Sequence, residues 1–138
     1  MISAGAAVVV NRPIAEVFGH LTEFDLWPAW SGGRLKSMTQ MTSGAPGPGT
    51  ELLQVFRRGA RTTETQVEIT ELVENSALAL ESRGYRARFT LEAARDATRV
   101  ECHVEVDAHG VMALVYRLLL PRFIATDLRK FRRLVEAL

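Results

Sequence analysis

Thr98-Arg99-Val100-Glu101-Cys102-His103-Val104-Glu105-Val106-Asp107 alternates without a fault: Val100, Cys102, Val104 and Val106 fall on one side of an extended chain, and Glu101, His103, Glu105 and Asp107 on the other. Successive strand side chains point to opposite faces, so this stretch reads as one strand of a sheet with a dry face and a wet face. The same two-residue period precedes it. Tyr85, Ala87, Phe89 and Leu91 oppose Arg86, Arg88, Thr90 and Glu92, and Thr63, Thr65, Val67 and Ile69 oppose Glu64, Gln66, Glu68 and Thr70. Strands are predicted over Leu35 to Thr42, Thr50 to Arg58, Arg61 to Leu72, Ala77 to Ser82, Tyr85 to Ala93 and Thr98 to Asp107. The loop Gly44 to Gly49 and the short turns Gly59-Ala60, Arg83-Gly84 and Arg95-Asp96-Ala97 join several of these strands as antiparallel hairpins. The result is a meander of about six strands.

Helical periodicity flanks the meander on both sides. A β-branched run, Ala7 to Asn11, ends at Pro13, which suits the first turn of a helix. Ile14, Val17, Phe18 and Leu21 then make one apolar stripe, and a second helical piece over Phe24 to Trp30 is kept short by Pro28. After Gly110 the period of 3.6 returns, with Leu114, Leu118, Ile124, Leu128, Phe131 and Val135 assigned to one face of a long helix interrupted or kinked at Pro121. The expected fold class is α+β: a curved antiparallel sheet of about seven strands, two short helices, and a long C-terminal helix packed over the dry face. With 138 residues, residues 1–138 read as a single domain.

Composition narrows the function classes. Apolar residues at 47% and charged residues at 24% are those of a globular protein, and a net charge of +1 gives no whole-molecule field for nucleic acid. The single cysteine, Cys102, excludes an intrachain disulfide and suits a reducing compartment. The opening residues lack the basic start and long apolar run of a secretion signal, and no stretch reaches the roughly 18 apolar residues of a membrane span. The expectation is a cytoplasmic protein, without nucleic acid or cofactor, monomeric or homodimeric.

The order of elements resembles the helix-grip fold of plant pollen-allergen (Bet v 1-like) proteins and START lipid-transfer domains. Val9-Val10-Asn11-Arg12-Pro13, Glu16-Val17-Phe18, Leu21-Thr22 and Trp27-Pro28-Ala29-Trp30-Ser31 resemble the signature of the bacterial polyketide cyclase/dehydrase-like family within that superfamily. Gly47-Pro48-Gly49-Thr50, Val67 to Leu72 and Leu78 to Glu81 fit its later strands, although the turn Val73-Glu74-Asn75-Ser76 lacks the proline often found there. The resemblance implies a hydrophobic cavity and no shared catalytic residues, so the fold does not supply a reaction.

The candidate site is the space between the dry face and the C-terminal helix, assigned to Phe56, Thr63, Thr65, Val67, Tyr85, Phe89, Cys102, Val104, Ile124 and Leu128. Apolar walls with a few hydroxyls suit a small hydrophobic or amphipathic guest; a filled core gives the same pattern. Trp27 and Trp30 read either as a ligand wall or as pins holding the short helices. Cys102 and His103 diverge to opposite faces, and His20 and His109 stand alone, which leaves no nucleophile pair and no zinc spacing. The Gly44 to Gly49 loop reads as a cavity rim or as a plain turn. Residues 110–138 carry six cations against Asp127 and Glu136. Three functions follow: binding of a polyketide, lipid, isoprenoid or aromatic metabolite; a cyclase or dehydratase using the same cavity; and a partner protein acting through the basic helix.

Overall fold

In the computed structural model, which describes residues 1–32 and 34–138, the chain forms β1 (Ile2–Val10), α1 (Ile14–Leu21), a 3-10 helix (Phe24–Ala29), β2 (Leu35–Gln40), β3 (Glu51–Arg58), β4 (Arg61–Val73), β5 (Ala77–Ser82), β6 (Tyr85–Ala94), β7 (Ala97–Val106) and α2 (Gly110–Ala137). The strands form one antiparallel sheet in the order β1-β7-β6-β5-β4-β3-β2. Strands β2 to β7 are the predicted meander, and β1 joins its far edge beside β7. Register carries the dry face across the sheet: Cys102 lies opposite Ala6 on one side and Phe89 on the other, and Phe89 lies opposite Leu78.

Two features depart from simple alternation. Strand β1 starts at Ile2, five residues before the predicted strand, because Ser3-Ala4-Gly5-Ala6 has little propensity of its own and is held by pairing with β7. Gly5 permits that pairing, since a Cβ there would lie 3.2 Å from the Cys102 carbonyl oxygen. In β4 the register shifts between Ile69 and Glu71, a bulge at Thr70 that returns Leu72 to the core side and leaves Glu71 paired with Arg88 on the outer face.

Helix α2 packs along β1 and also meets β7 and the 3-10 helix. It runs as one helix through the exposed Pro121, so of the expected interruption or kink the interruption does not occur. Leu120, Ile124, Leu128, Phe131 and Val135 are buried, whereas Leu114 and Leu118 are 59% and 66% exposed, against the expected single stripe. The reason is geometric. At about 100° per residue the six-residue step from Leu118 to Ile124 places the two roughly 120° apart around the helix, and Ala113 and Tyr116 pack on the core in the first turns instead. The far end is tied down: the Asn11 backbone N–H donates to Glu136 Oε2 at 2.8 Å, the Arg12 guanidinium to the Glu136 carbonyl, and Thr98 Oγ1 to the Arg12 carbonyl at 2.9 Å.

Candidate functional site

Beneath α2, four parts of the chain enclose a cavity of about 50 Å³. Strand β6 contributes Tyr85 and Phe89, β7 contributes Cys102 and Val104, α2 contributes Ile124, Asp127 and Leu128, and the chain leaving the 3-10 helix contributes Trp30 and Ser31. That volume admits a few waters, well short of the roughly 300 to 1,000 Å³ of pockets that take drug-sized ligands. Most of the space between sheet and helix is packed core.

Aromatic rings make one wall rigid. Trp27 and Trp30 lie 4.7 Å apart between ring centres, Phe89 is 5.5 Å from Trp27 and 6.1 Å from Trp30, and Phe131 of α2 is 5.0 Å from Trp30. Both tryptophans are buried, but their polar ends differ. Trp27 Nε1–H donates to the Leu21 carbonyl at 2.8 Å, locking the 3-10 helix onto α1. Trp30 Nε1 is buried with no hydrogen-bond partner among the described residues. A buried donor left unsatisfied costs about 1 to 3 kcal/mol, so this group calls for an acceptor.

Three ionisable groups share the cavity with it. Asp127 Oδ1 accepts the Gly32 N–H at 3.1 Å, yet burial pushes the carboxyl above its ordinary range, the Gly32 bond and Lys130 opposing only in part. Burial also pushes the Cys102 thiol up to about 12, assisted by Asp127, so it stays protonated and is a poor nucleophile. Tyr85 is raised by burial, then by Cys102 and Asp127, so its hydroxyl remains a donor. The arrangement is a small chamber of mixed character, its apolar walls interrupted by Ser31, Tyr85, Cys102 and Asp127.

Of the ten residues assigned from the sequence, Tyr85, Phe89, Cys102, Val104, Ile124 and Leu128 come together here. Phe56, Thr63, Thr65 and Val67 do not line the cavity. Val67 is buried in the core, Phe56 and Thr65 are partly covered, and Thr63, which pairs with Phe56, is exposed. The β3–β4 hairpin extends away from the edge that α2 covers. The Gly44 to Gly49 loop is also no part of the cavity lining; Gly49 N–H donates to the Ile69 carbonyl at 2.8 Å and closes the β2–β3 turn onto β4. Ser31 and Asp127 were missing from the assignment. For Asp127 the signal was present: it stands three residues after Ile124 and one before Leu128, on the border of the buried stripe.

Elsewhere, an open groove of about 440 Å³ lies between α1 and the β4–β5 turn, bordered by Phe18, Leu72 and Glu74. His20 pairs with Glu23 at 3.1 Å, His103 faces out from β7, and His109 is exposed. No group of three His, Cys, Asp or Glu side chains among the described residues is placed to hold a metal.

The family model for polyketide cyclase / dehydrase and lipid transport proteins matches residues 1–136. The chain belongs to that family. Solved structures share its architecture at low identity. A START superfamily protein from Mycobacterium smegmatis aligns at 13% identity and TM-score 0.78 over 98% of this chain and 97% of its own. TTHA0849 from Thermus thermophilus aligns at 13% identity and TM-score 0.76 over 99% and 98%. Ara h 8.0201 aligns at 15% identity and TM-score 0.68 over 99% of both chains. No curated protein matches the chain. At these identities the structures show the fold alone: this polyketide cyclase / dehydrase family member has the helix-grip architecture of START and Bet v 1-like proteins.

The direction of the Asp127 shift sets a pH dependence. A carboxyl raised in the folded state binds its proton more tightly there than in the unfolded chain, so its contribution to stability is full at acid pH and is lost as pH rises through the carboxylate range. Asp127→Asn keeps an acceptor for the Gly32 N–H and removes the ionisation. Urea denaturation at several pH values is expected to show the variant gaining on the parent chain as pH rises from about 3.5 to about 7; a difference independent of pH would mean that Asp127 ionises as freely as an exposed acid.

Proposed function

We propose that the chain binds a small hydrophobic or amphipathic molecule, of the polyketide, lipid, isoprenoid or aromatic metabolite class, between the sheet and α2. The observation that carries this reading is that Trp30, whose buried Nε1–H has no partner among the described residues, lines a chamber together with Tyr85 and Asp127. An oxygen atom on an otherwise apolar guest would accept from Trp30, while the Tyr85 hydroxyl and the Asp127 carboxyl supply further hydrogen-bonding positions. A guest of more than a few atoms requires the chamber to widen by outward movement of α2, since a volume of about 50 Å³ cannot hold it. A cyclase or dehydratase is the second reading. Asp127, a partly buried carboxyl at the chamber whose pKa is raised by burial, is the group that favours it, because general acid–base catalysis needs a positioned titratable group beside the guest.

Native mass spectrometry of the purified protein, followed by denaturing extraction, tests the binding reading. A stoichiometric apolar metabolite bearing at least one oxygen is expected. An empty protein that also shows no thermal shift against lipids, quinones and aromatic polyketides would overturn it.

A further inference from the structure

The first three turns of α2 leave an apolar strip uncovered: Val111, Leu114 and Leu118 are 78%, 59% and 66% exposed and lie within about 60° of Val111 around the helix, while the exposed Met112 and Phe123 sit to one side of it. Exposed apolar groups scattered singly are ordinary; several on consecutive turns of one helix mark a contact surface. The spacing continues the pattern in a different chemistry. Val111, the half-buried Val115, Leu118, Arg122, Arg129 and Arg133 follow one another at intervals of four, three, four, seven and four residues, a single stripe along the outward side of α2 that ends at Glu136, itself bonded to the Asn11 N–H. Its first half is apolar and its second half is cationic.

Charge decides what fits this stripe. Residues 108–126 contain no carboxylate, so only Arg117, Arg122 and His109 accompany the apolar face. Three arginines on β6 and β7 are paired: Arg86 meets Glu81 and Glu105, Arg88 meets Glu71, and Arg99 meets Glu101. None of the α2 cations, Arg117, Arg122, Arg129, Lys130, Arg132 and Arg133, lies within ion-pair distance of a carboxylate among the described residues. Because α2 covers the dry face, its outward side lies opposite the wet face with its paired charges. Along α2 the molecule thus presents cations with no ion-pair partner among the described residues, beside exposed leucines.

We propose that this outward face of α2 docks on a bilayer surface containing anionic lipid. Leu114 and Leu118 enter the boundary between headgroups and acyl chains, and Arg122, Arg129 and Arg133 meet lipid phosphates with their aliphatic stems laid along the surface. The helix lies on the membrane and does not cross it: no helix among the described residues is long and apolar enough to span.

The test is flotation of the full chain with vesicles of phosphatidylcholine, with and without phosphatidylglycerol, at low and high salt. The chain is expected to float with the phosphatidylglycerol vesicles about tenfold more than with phosphatidylcholine alone, and high salt should abolish the difference. Leu118→Glu is fully tolerable to the core because the side chain is exposed, and it should cut flotation about tenfold with an unchanged circular dichroism spectrum. The triple change Arg122→Gln, Arg129→Gln and Arg133→Gln should remove the preference for phosphatidylglycerol. Flotation reports protein held on the bilayer; a chain that only extracts a lipid into its cavity stays at the bottom of the gradient. No flotation, equal flotation on both vesicles, or flotation that Leu118→Glu leaves intact would each overturn the proposal. So would a dimer in sedimentation that Leu118→Glu converts to monomer without vesicle binding by either form.

Discussion

Phe131→Ala is expected to destabilise the fold by about 3 to 5 kcal/mol, read as a lowered midpoint of urea denaturation at constant slope. Phe131 is 1% exposed and is among the largest fully buried side chains. Its ring packs edge-on against Trp30 at 5.0 Å, and Trp30 in turn meets Trp27 and Phe89, so one side chain links α2 to the 3-10 helix and to β6. Truncation loses the transfer free energy of a benzyl group and leaves a void that the surrounding rigid rings fill poorly. Phe131→Leu keeps most of the volume and should cost less than half as much. A loss of under about 1 kcal/mol for the alanine variant would show that α2 is held by its tie at Glu136 and not by this aromatic joint.

The strands were legible because their physical rule is local. Alternation assigns each residue a face, and the ends of β3 to β7 came within about two residues of the predicted ones. Where structure came from a partner, the sequence was mute: residues Ile2 to Ala6 are strand because β7 pairs with them, and the Thr70 bulge exists because Leu72 must regain the core side. The site divides on the same principle. Tyr85, Phe89, Cys102 and Val104 were found because their strands have clean rows, but a row states only the side a residue faces. How far α2 extends over that side is a tertiary fact, and it leaves Thr63 in solvent and Thr65 short of the cavity. On α2, one stripe was drawn from Leu114 to Val135 across two different faces; the leucines that it misplaced are the ones now exposed. Trp30 was weighed as ligand wall and as pin. It packs as a pin and lines the cavity as well, with a donor that packing leaves unused.

Leu128→Arg is expected to be more damaging to function than any other single change in the cavity. Leu128 is 2% exposed and lines the chamber with Cys102 and Val104. A guanidinium placed there loses its hydration and finds mostly apolar neighbours, and an unpaired buried charge costs about 3 to 5 kcal/mol. Asp127 lines the same chamber, but its Oδ1 already accepts from the Gly32 N–H, so it offsets only part of that cost. The expected results are a denaturation midpoint lowered by that amount and loss of any metabolite that co-purifies with the parent chain. Leu128→Met separates the two effects: it conserves volume, should cost less than about 1.5 kcal/mol, and should keep the metabolite. If Leu128→Arg kept both stability and metabolite, the arginine would have reached solvent past α2, and the chamber would be an open cleft whose guest is held from outside the helix. If Leu128→Met lost the metabolite while keeping stability, the chamber would be selecting by shape as well as by polarity, which places the discriminating contact on α2 and not on the sheet.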